Sequence, residues 1–206
     1  MKLAKPCVDV ALFTDRADPA PMLAHWQQRV GLPFEEPLAV GGGTMQHRHG
    51  LRGSVLKLNH SRRPLPEVPP SGYRELWIAR EDGGPDETLT DPDGNRVRLV
   101  PPGTDGVSQI AVVVHARRRD AFERWFGHVL GFEEVERGVF ACGETRFVIE
   151  EDAGVAVPAA FPGPGYRYLT VQVWDCDAEH AGILSRGGEE AAPARTLGEV
   201  ARFSMV

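Results

Sequence analysis

The sequence predicts an α+β protein built from tandem βαβββ units. Short segments recur in the same order at nearly constant spacing. Apolar periodicity also alternates between strand and helix patterns, with glycines at matching breaks. Gly72-Tyr73-Arg74-Glu75-Leu76 returns as Gly165-Tyr166-Arg167-Tyr168-Leu169. Asp9-Val10-Ala11-Leu12 returns as Gln109-Ile110-Ala111-Val112, and Val30-Gly31-Leu32 as Leu130-Gly131-Phe132. The 206 residues therefore divide into two copies, 1–103 and 104–206, each long enough to bury a core without staples.

The elements follow in order. Residues 8–14 form a short, β-branched apolar run and read as a buried strand. Asp18-Pro19 supplies a helix N-cap followed by proline at the first helical position. Met22, Leu23, Trp26 and Val30 then recur at helical spacing, and Gly31 suits the left-handed residue that ends the helix. Strands at 44–49 and 54–59 complete one βαβββ unit. The Pro-rich stretch 62–71 is a stiff linker. A second unit opens with a strand at 74–79 but has only a polar loop where a helix belongs. Its Asp91-Pro92-Asp93-Gly94-Asn95 segment is a hairpin turn signal before a strand at 96–100.

The second copy repeats the plan. It has a strand at 110–114, a helix carrying Phe122, Trp125, Phe126 and Val129, and Gly131 at its end. A strand at 168–174 precedes a helix at 177–185. The repeat then calls for a further turn and closing strand that the sequence does not show, so the second domain reads as truncated before its last strand.

A net charge of −6 argues against nucleic acid, which needs a basic footprint. Three cysteines without CxxC spacing form neither a disulfide framework nor a zinc site, and reduced thiols point to the cytoplasm. No apolar run approaches the length of a signal peptide core or a membrane span, so neither is expected.

The paired units, the strand–helix–Gly-Leu opening and the Asp91–Asn95 turn before Arg96-Val97-Arg98-Leu99 resemble the vicinal oxygen chelate proteins. That superfamily includes glyoxalase I, extradiol dioxygenases and bleomycin-resistance proteins. The resemblance implies two glyoxalase-like domains with curved mixed sheets. It also implies a cup in which first-strand and last-strand side chains hold a divalent metal. Carried over by position, the first-strand residues are Asp9, Glu75, Gln109 and Tyr168. The last-strand residues are Lys57, Arg98 and, allowing a shift of one or two places, Glu150. Lys57 and Arg98 repel a cation. The first domain therefore reads as metal-free, pairing its charges as Asp–Arg and Glu–Lys. Gln109 and Glu150 are the metal candidates of the second domain, and Glu75 and Tyr168 the catalytic ones.

His47 and His49 share one strand face, with His60 on the next strand. They read as a solvated hairpin, an anion site with Arg48 and Arg62, or a metal site. His47 and His49, with Asp9, Lys57 and Arg98, make up the candidate ligand-binding set. Three functions stay open: a metal-free small-molecule binder, a lyase, isomerase or dioxygenase needing Zn, Ni, Mn or Fe, and a structural relic. The expected partners are a small molecule and, at most, a second copy of the chain.

Overall fold

The computed structural model describes residues 1–156, 161–198 and 201–206. β1 (Asp9–Thr14) alternates as the apolar run requires: Val10 and Leu12 face the helix layer, and Asp9 and Ala11 face away. The Asp18 carboxylate accepts from the Ala20 amide at 2.9 Å, which starts α1 (Ala20–Ala24). The helix runs on into a π turn (His25–Arg29) that seats Trp26 at 0% exposure, and Gly31 follows at φ 84°. β2 (Phe34–Gly41), β3 (Thr44–Leu51) and β4 (Ser54–Ser61) complete the unit.

The second unit holds β5 (Tyr73–Ala79), β6 (Glu87–Thr90) and β7 (Arg96–Val100), with no helix between β5 and β6. The third holds β8 (Ile110–Ala116), α2 (Arg119–Arg124) with its own π turn (Trp125–Val129), β9 (Glu133–Glu136), β10 (Val139–Cys142) and β11 (Thr145–Glu151). The fourth holds β12 (Gly165–Thr170), α3 (Cys176–Ser185), β13 (Ala192–Leu197) and β14 (Ala201–Met205). Both π turns sit at matching places in the repeat, each one residue before the glycine-terminated end.

Two mixed sheets result. One runs β12-β1-β4-β3-β2 and the other β6-β7-β5-β8-β11-β10-β9, while among the described residues β13 and β14 pair only with each other. The expectation of curved sheets is corrected here. Neither sheet curls or closes, because its outer strands, β12 and β2 or β6 and β9, make no ladder with each other.

The sheets also do not follow the division at residue 103. Within each of the first three units the first and last strands lie parallel, as β1 with β4, β5 with β7 and β8 with β11. The units then join across the halves by antiparallel pairs, β1 with β12 and β5 with β8. One buried apolar cluster runs through both sheets, from Leu12, Trp26 and Leu56 to Leu76, Val112 and Phe147.

Trp26 is the largest fully buried side chain of this cluster. Trp26→Ala is expected to cost about 3–5 kcal/mol, read as a lower urea midpoint at unchanged slope.

Candidate functional site

The repeated Gly-Tyr-Arg motif encodes a repeated backbone irregularity. In β5, Tyr73 pairs with Val114 and Glu75 with Val113, so Arg74 is an extra residue. In β12, Tyr166 pairs with Leu12 and Tyr168 with Ala11, so Arg167 is the extra residue. Each arginine thus sits in a β-bulge, a device that re-aims side chains near sites. The two bulges have diverged in use. Arg167 is buried and clamps the chain, with Nε donating to Gly163 O at 2.9 Å and Nη1 to Pro69 O at 3.1 Å. Arg74 and Glu75 instead line a cleft.

That cleft measures about 760 Å³, within the range of small-molecule pockets. Its floor is the polar face of the seven-stranded sheet: Glu75, Val113, His115 and Glu150, with Asp152 just beyond. Its walls are the linker residues Val68, Pro70 and Ser71, the turn 93–96, and Pro164 to Tyr166 at the start of β12. The walls are fixed. The buried Asp91 carboxylate accepts from the Asp93 and Asn95 amides at 3.0 and 2.8 Å and from Asn95 Nδ2 at 2.9 Å. Arg16 reaches Asp93 at 2.8 Å, and Tyr166 OH donates to Arg96 O at 2.9 Å. Both contacts tie one sheet to the other.

His115 is the central side chain of the floor, and the sequence reading missed it. Its Nδ1 lies 3.2 Å from Asp152 Oδ2 and its Nε2 lies 3.2 Å from Glu150 Oε2. Asp152 is held in turn, because its Oδ1 accepts from the Gly154 amide at 2.8 Å. That bond, and then His115, keep the Asp152 carboxyl below the usual carboxylate range. The His115 amide donates to Gly72 O at 2.8 Å. A Cβ at position 72 would lie 2.8 Å from His115 O, so the approach requires glycine. The one available signal was register: His115 follows Ala111 and Val113 on the same face of one strand.

The other predicted residues are distributed over two faces. Asp9, Lys57 and Tyr168 come together on the five-stranded sheet. Lys57 Nζ lies 2.8 Å from Asp9 Oδ2 and donates to Thr170 Oγ1 at 2.9 Å. Asp9, at 0% exposure, also accepts from the Val55 amide and Gln172 Nε2. Burial pulls the Lys57 ammonium below its ordinary range, and Asp9 opposes that shift. Gln46 donates to Asn59 at 2.9 Å and to Tyr168 OH at 3.4 Å, and the Phe13 and Phe161 rings pack on Tyr168. These polar groups satisfy one another.

The expected Asp–Arg and Glu–Lys pairing is corrected, because the residues face two different sheets. Asp9 pairs with Lys57, Glu75 with Arg96 at 3.4 Å, and Arg98 with Asp86 while stacking on Trp77 at 4.4 Å. His47 and His49 pair with Leu58 and Leu56 and so face the helix side, away from the Asp9 cluster. His49 is fully buried against Gln27 at 3.3 Å, and burial takes its pKa down to about 4.

Gln109 and Glu150 are not brought together. Gln109 precedes Ile110, which pairs with Thr145, whereas Glu150 pairs with His115. Six strand positions separate the two levels, about 20 Å at ~3.3 Å per residue. The last-strand residue level with Lys57 is Arg146: Lys57 lies opposite Ala11, and Arg146 opposite Ala111. Arg98, opposite Trp77, is at the same level. Where the resemblance expects carboxylates, the chain carries Lys57, Arg98 and Arg146. This donor set does not fit a divalent ion. Among the described residues no group of three or more His, Cys, Asp or Glu is arranged to hold a metal.

The architecture matches solved structures. Glyoxalase I from Zea mays superposes with a TM-score of 0.69 at 12% identity, covering 95% of this chain and 85% of the maize chain. A Bacillus subtilis protein assigned as a candidate dioxygenase superposes at 0.62 and 13% identity, covering 95% of this chain and 79% of the other. No protein-family model and no curated protein matches the chain. At such identities the likeness shows the fold alone, tandem βαβββ units joined into two mixed sheets. Among the described residues, no helix is long and apolar enough to cross a membrane.

Two outcomes follow from the buried charges. Lys57→Ala leaves buried Asp9 with only the more distant Lys5, at 3.9 Å, as a cation and is expected to cost about 3 kcal/mol in urea unfolding, with the double variant Asp9→Asn/Lys57→Met losing less. His49 has a folded pKa below its unfolded value of 6.5, so the unfolded chain binds more protons between the two. Stability is therefore expected to fall as pH drops from 6.5 toward 4, by at most about 1.4 kcal/mol per unit from this residue. His25 and His47 are depressed in the same direction and add to the slope, which His49→Gln should reduce.

Proposed function

We propose that the protein binds a small molecule in the cleft of the seven-stranded sheet, without a complete metal site. The observation that carries this reading is the cleft itself. It combines ligand-sized volume with convergent ionisable groups from four strands, β5, β7, β8 and β11, and fixed walls from both halves of the chain. The five-stranded sheet supports the same assignment by contrast, since Asp9 and Lys57 satisfy each other where a metal would need free donors. The basic residues at the last-strand level oppose the alternative of a metal-dependent lyase, isomerase or dioxygenase.

Glu75 and Glu150 belong to the cleft. Tyr168, Asp9 and Lys57 act in the sheet that supports it. The ligand is a polar metabolite, because four carboxylates, two guanidiniums and an imidazole line the cleft. Unpaired thiols at Cys7, Cys142 and Cys176 support a reducing, cytoplasmic setting, with the chain acting as a monomer or homodimer.

A thermal-shift screen of polar metabolites is expected to give at least one large, concentration-dependent shift. Val113→Phe, which places a ring in the floor, should weaken that ligand at least tenfold while leaving the circular dichroism spectrum unchanged. A screen with no shift, or a shift indifferent to Val113→Phe, contradicts the cleft as the binding site. Metal analysis of the purified protein provides the complementary check, and a stoichiometric Zn, Ni, Mn or Fe would sink the metal-free reading.

A further inference from the structure

Lysine is rare in this chain. It occurs at three positions, Lys2, Lys5 and Lys57, against twenty arginines. Lys57 alone of the three is buried, and the two other last strands carry arginine at its level, Arg98 and Arg146. Arginine keeps its proton in a protein, whereas a lysine taken out of water can lose it and become a nucleophile. Burial does most to disfavour the Lys57 ammonium. Asp9 opposes that effect, and Arg48, directly opposite on β3, and Lys5 add to it. Asp9 is held independently of Lys57, because it accepts from the Val55 amide at 3.1 Å and from Gln172 Nε2 at 3.0 Å.

An aromatic corner stands beside the amine. Lys57 Nζ lies 6.0 Å from the centre of the Tyr168 ring, and the rings of Tyr168, Phe13 and Phe161 lie 5.5 to 6.2 Å from one another. Phe161 is 47% exposed, so the corner meets solvent at that ring. An aromatic guest can stack there with its reactive group toward Lys57. A lysine kept only as a counterion needs neither a second cation across the strand nor an exposed ring next to it.

We propose that Lys57 is a nucleophile that condenses with a small aromatic aldehyde and holds it as a protonated imine against Asp9. The site lies on the five-stranded sheet, so it stands or falls separately from the cleft. Asp9 takes one proton from the Lys57 ammonium, 2.8 Å away, which frees the nitrogen lone pair. The nitrogen attacks the carbonyl carbon, the C–N bond forms, and a second proton passes from nitrogen to the former carbonyl oxygen. Asp9 returns its proton to that hydroxyl, which leaves as water while the C=N bond forms. An ammonium and an aldehyde thus give an iminium and water, with no oxidant, reductant or further reactant. The positive charge stays beside Asp9 throughout, so the polar network that satisfies the resting lysine also satisfies the product.

The test uses benzaldehyde with the full-length protein at neutral pH. Cyanoborohydride is added to deliver a hydride to the imine carbon and fix it as a stable amine. Peptide mapping by mass spectrometry then separates Lys57 from Lys2, Lys5 and the terminal amine, so the wild type carries its own controls. Lys57 is expected to label on the order of tenfold faster than Lys2 or Lys5, although it is the least accessible of the three. In urea the preference should vanish. Phe161→Ala, with its fold checked by circular dichroism, should slow Lys57 labelling about fivefold. Labelling of Lys57 no faster than Lys2 and Lys5 overturns the proposal and leaves the Asp9 pair purely structural. A preference that persists in urea overturns it too, because it then belongs to the local sequence and not to the site. An unchanged rate in folded Phe161→Ala overturns the aromatic class of the aldehyde.

Discussion

The structure depends on two antiparallel ladders, β1 with β12 and β5 with β8. A βαβββ unit puts its first and last strands side by side in parallel, which leaves the other edge of the first strand open. An open edge is a row of unpaired amides and carbonyls, and pairing it is a strong constraint. Here each open edge is closed by the first strand of a unit from the opposite half. The sheets, the shared apolar core and the cleft between the sheets all follow from that choice of partner.

The same joints carry the irregularities that make a site. Both ladders skip a residue at the arginine of Gly-Tyr-Arg, so both joints are bulged. At one joint the arginine is buried as a clamp on the neighbouring loop carbonyls. At the other it opens into the cleft beside Glu75. Duplication thus preserved the backbone device and let the side chains diverge. The face of the five-stranded sheet became a self-satisfied polar network around Asp9 and Lys57. The cleft floor of the seven-stranded sheet kept ionisable groups with partial exposure, as a ligand site needs.

Much of the fold was legible in the residues. Trp26 and Phe126 fell on helical faces, Gly31 and Gly131 marked the helix ends, and the Asp91–Asn95 turn announced a hairpin. Strand partners were not legible, because a repeat specifies what each unit is and not which unit it joins. That gap misassigned the charge pairs: Asp9 and Glu75 looked like neighbours in one cup but lie on different sheets. Counting along the repeat also placed Glu150 level with Lys57, whereas the ladder places Arg146 there. Loop lengths differ between copies, so sequence offsets drift by a few residues, and each strand position is about 3.3 Å. His115 escaped notice for a related reason. Its importance comes from Glu150 beside it on the paired strand and Asp152 just past that strand's end, and register alone reveals both.

Expressing residues 1–103 and 104–206 separately, and then together, tests the cross-half pairing most directly. If β1 and β5 need β12 and β8, neither half alone will give a dispersed amide NMR spectrum or a cooperative urea transition, and mixing the two will restore both. A dispersed spectrum and cooperative unfolding from residues 1–103 alone would contradict the account, because the half would then close its own sheet.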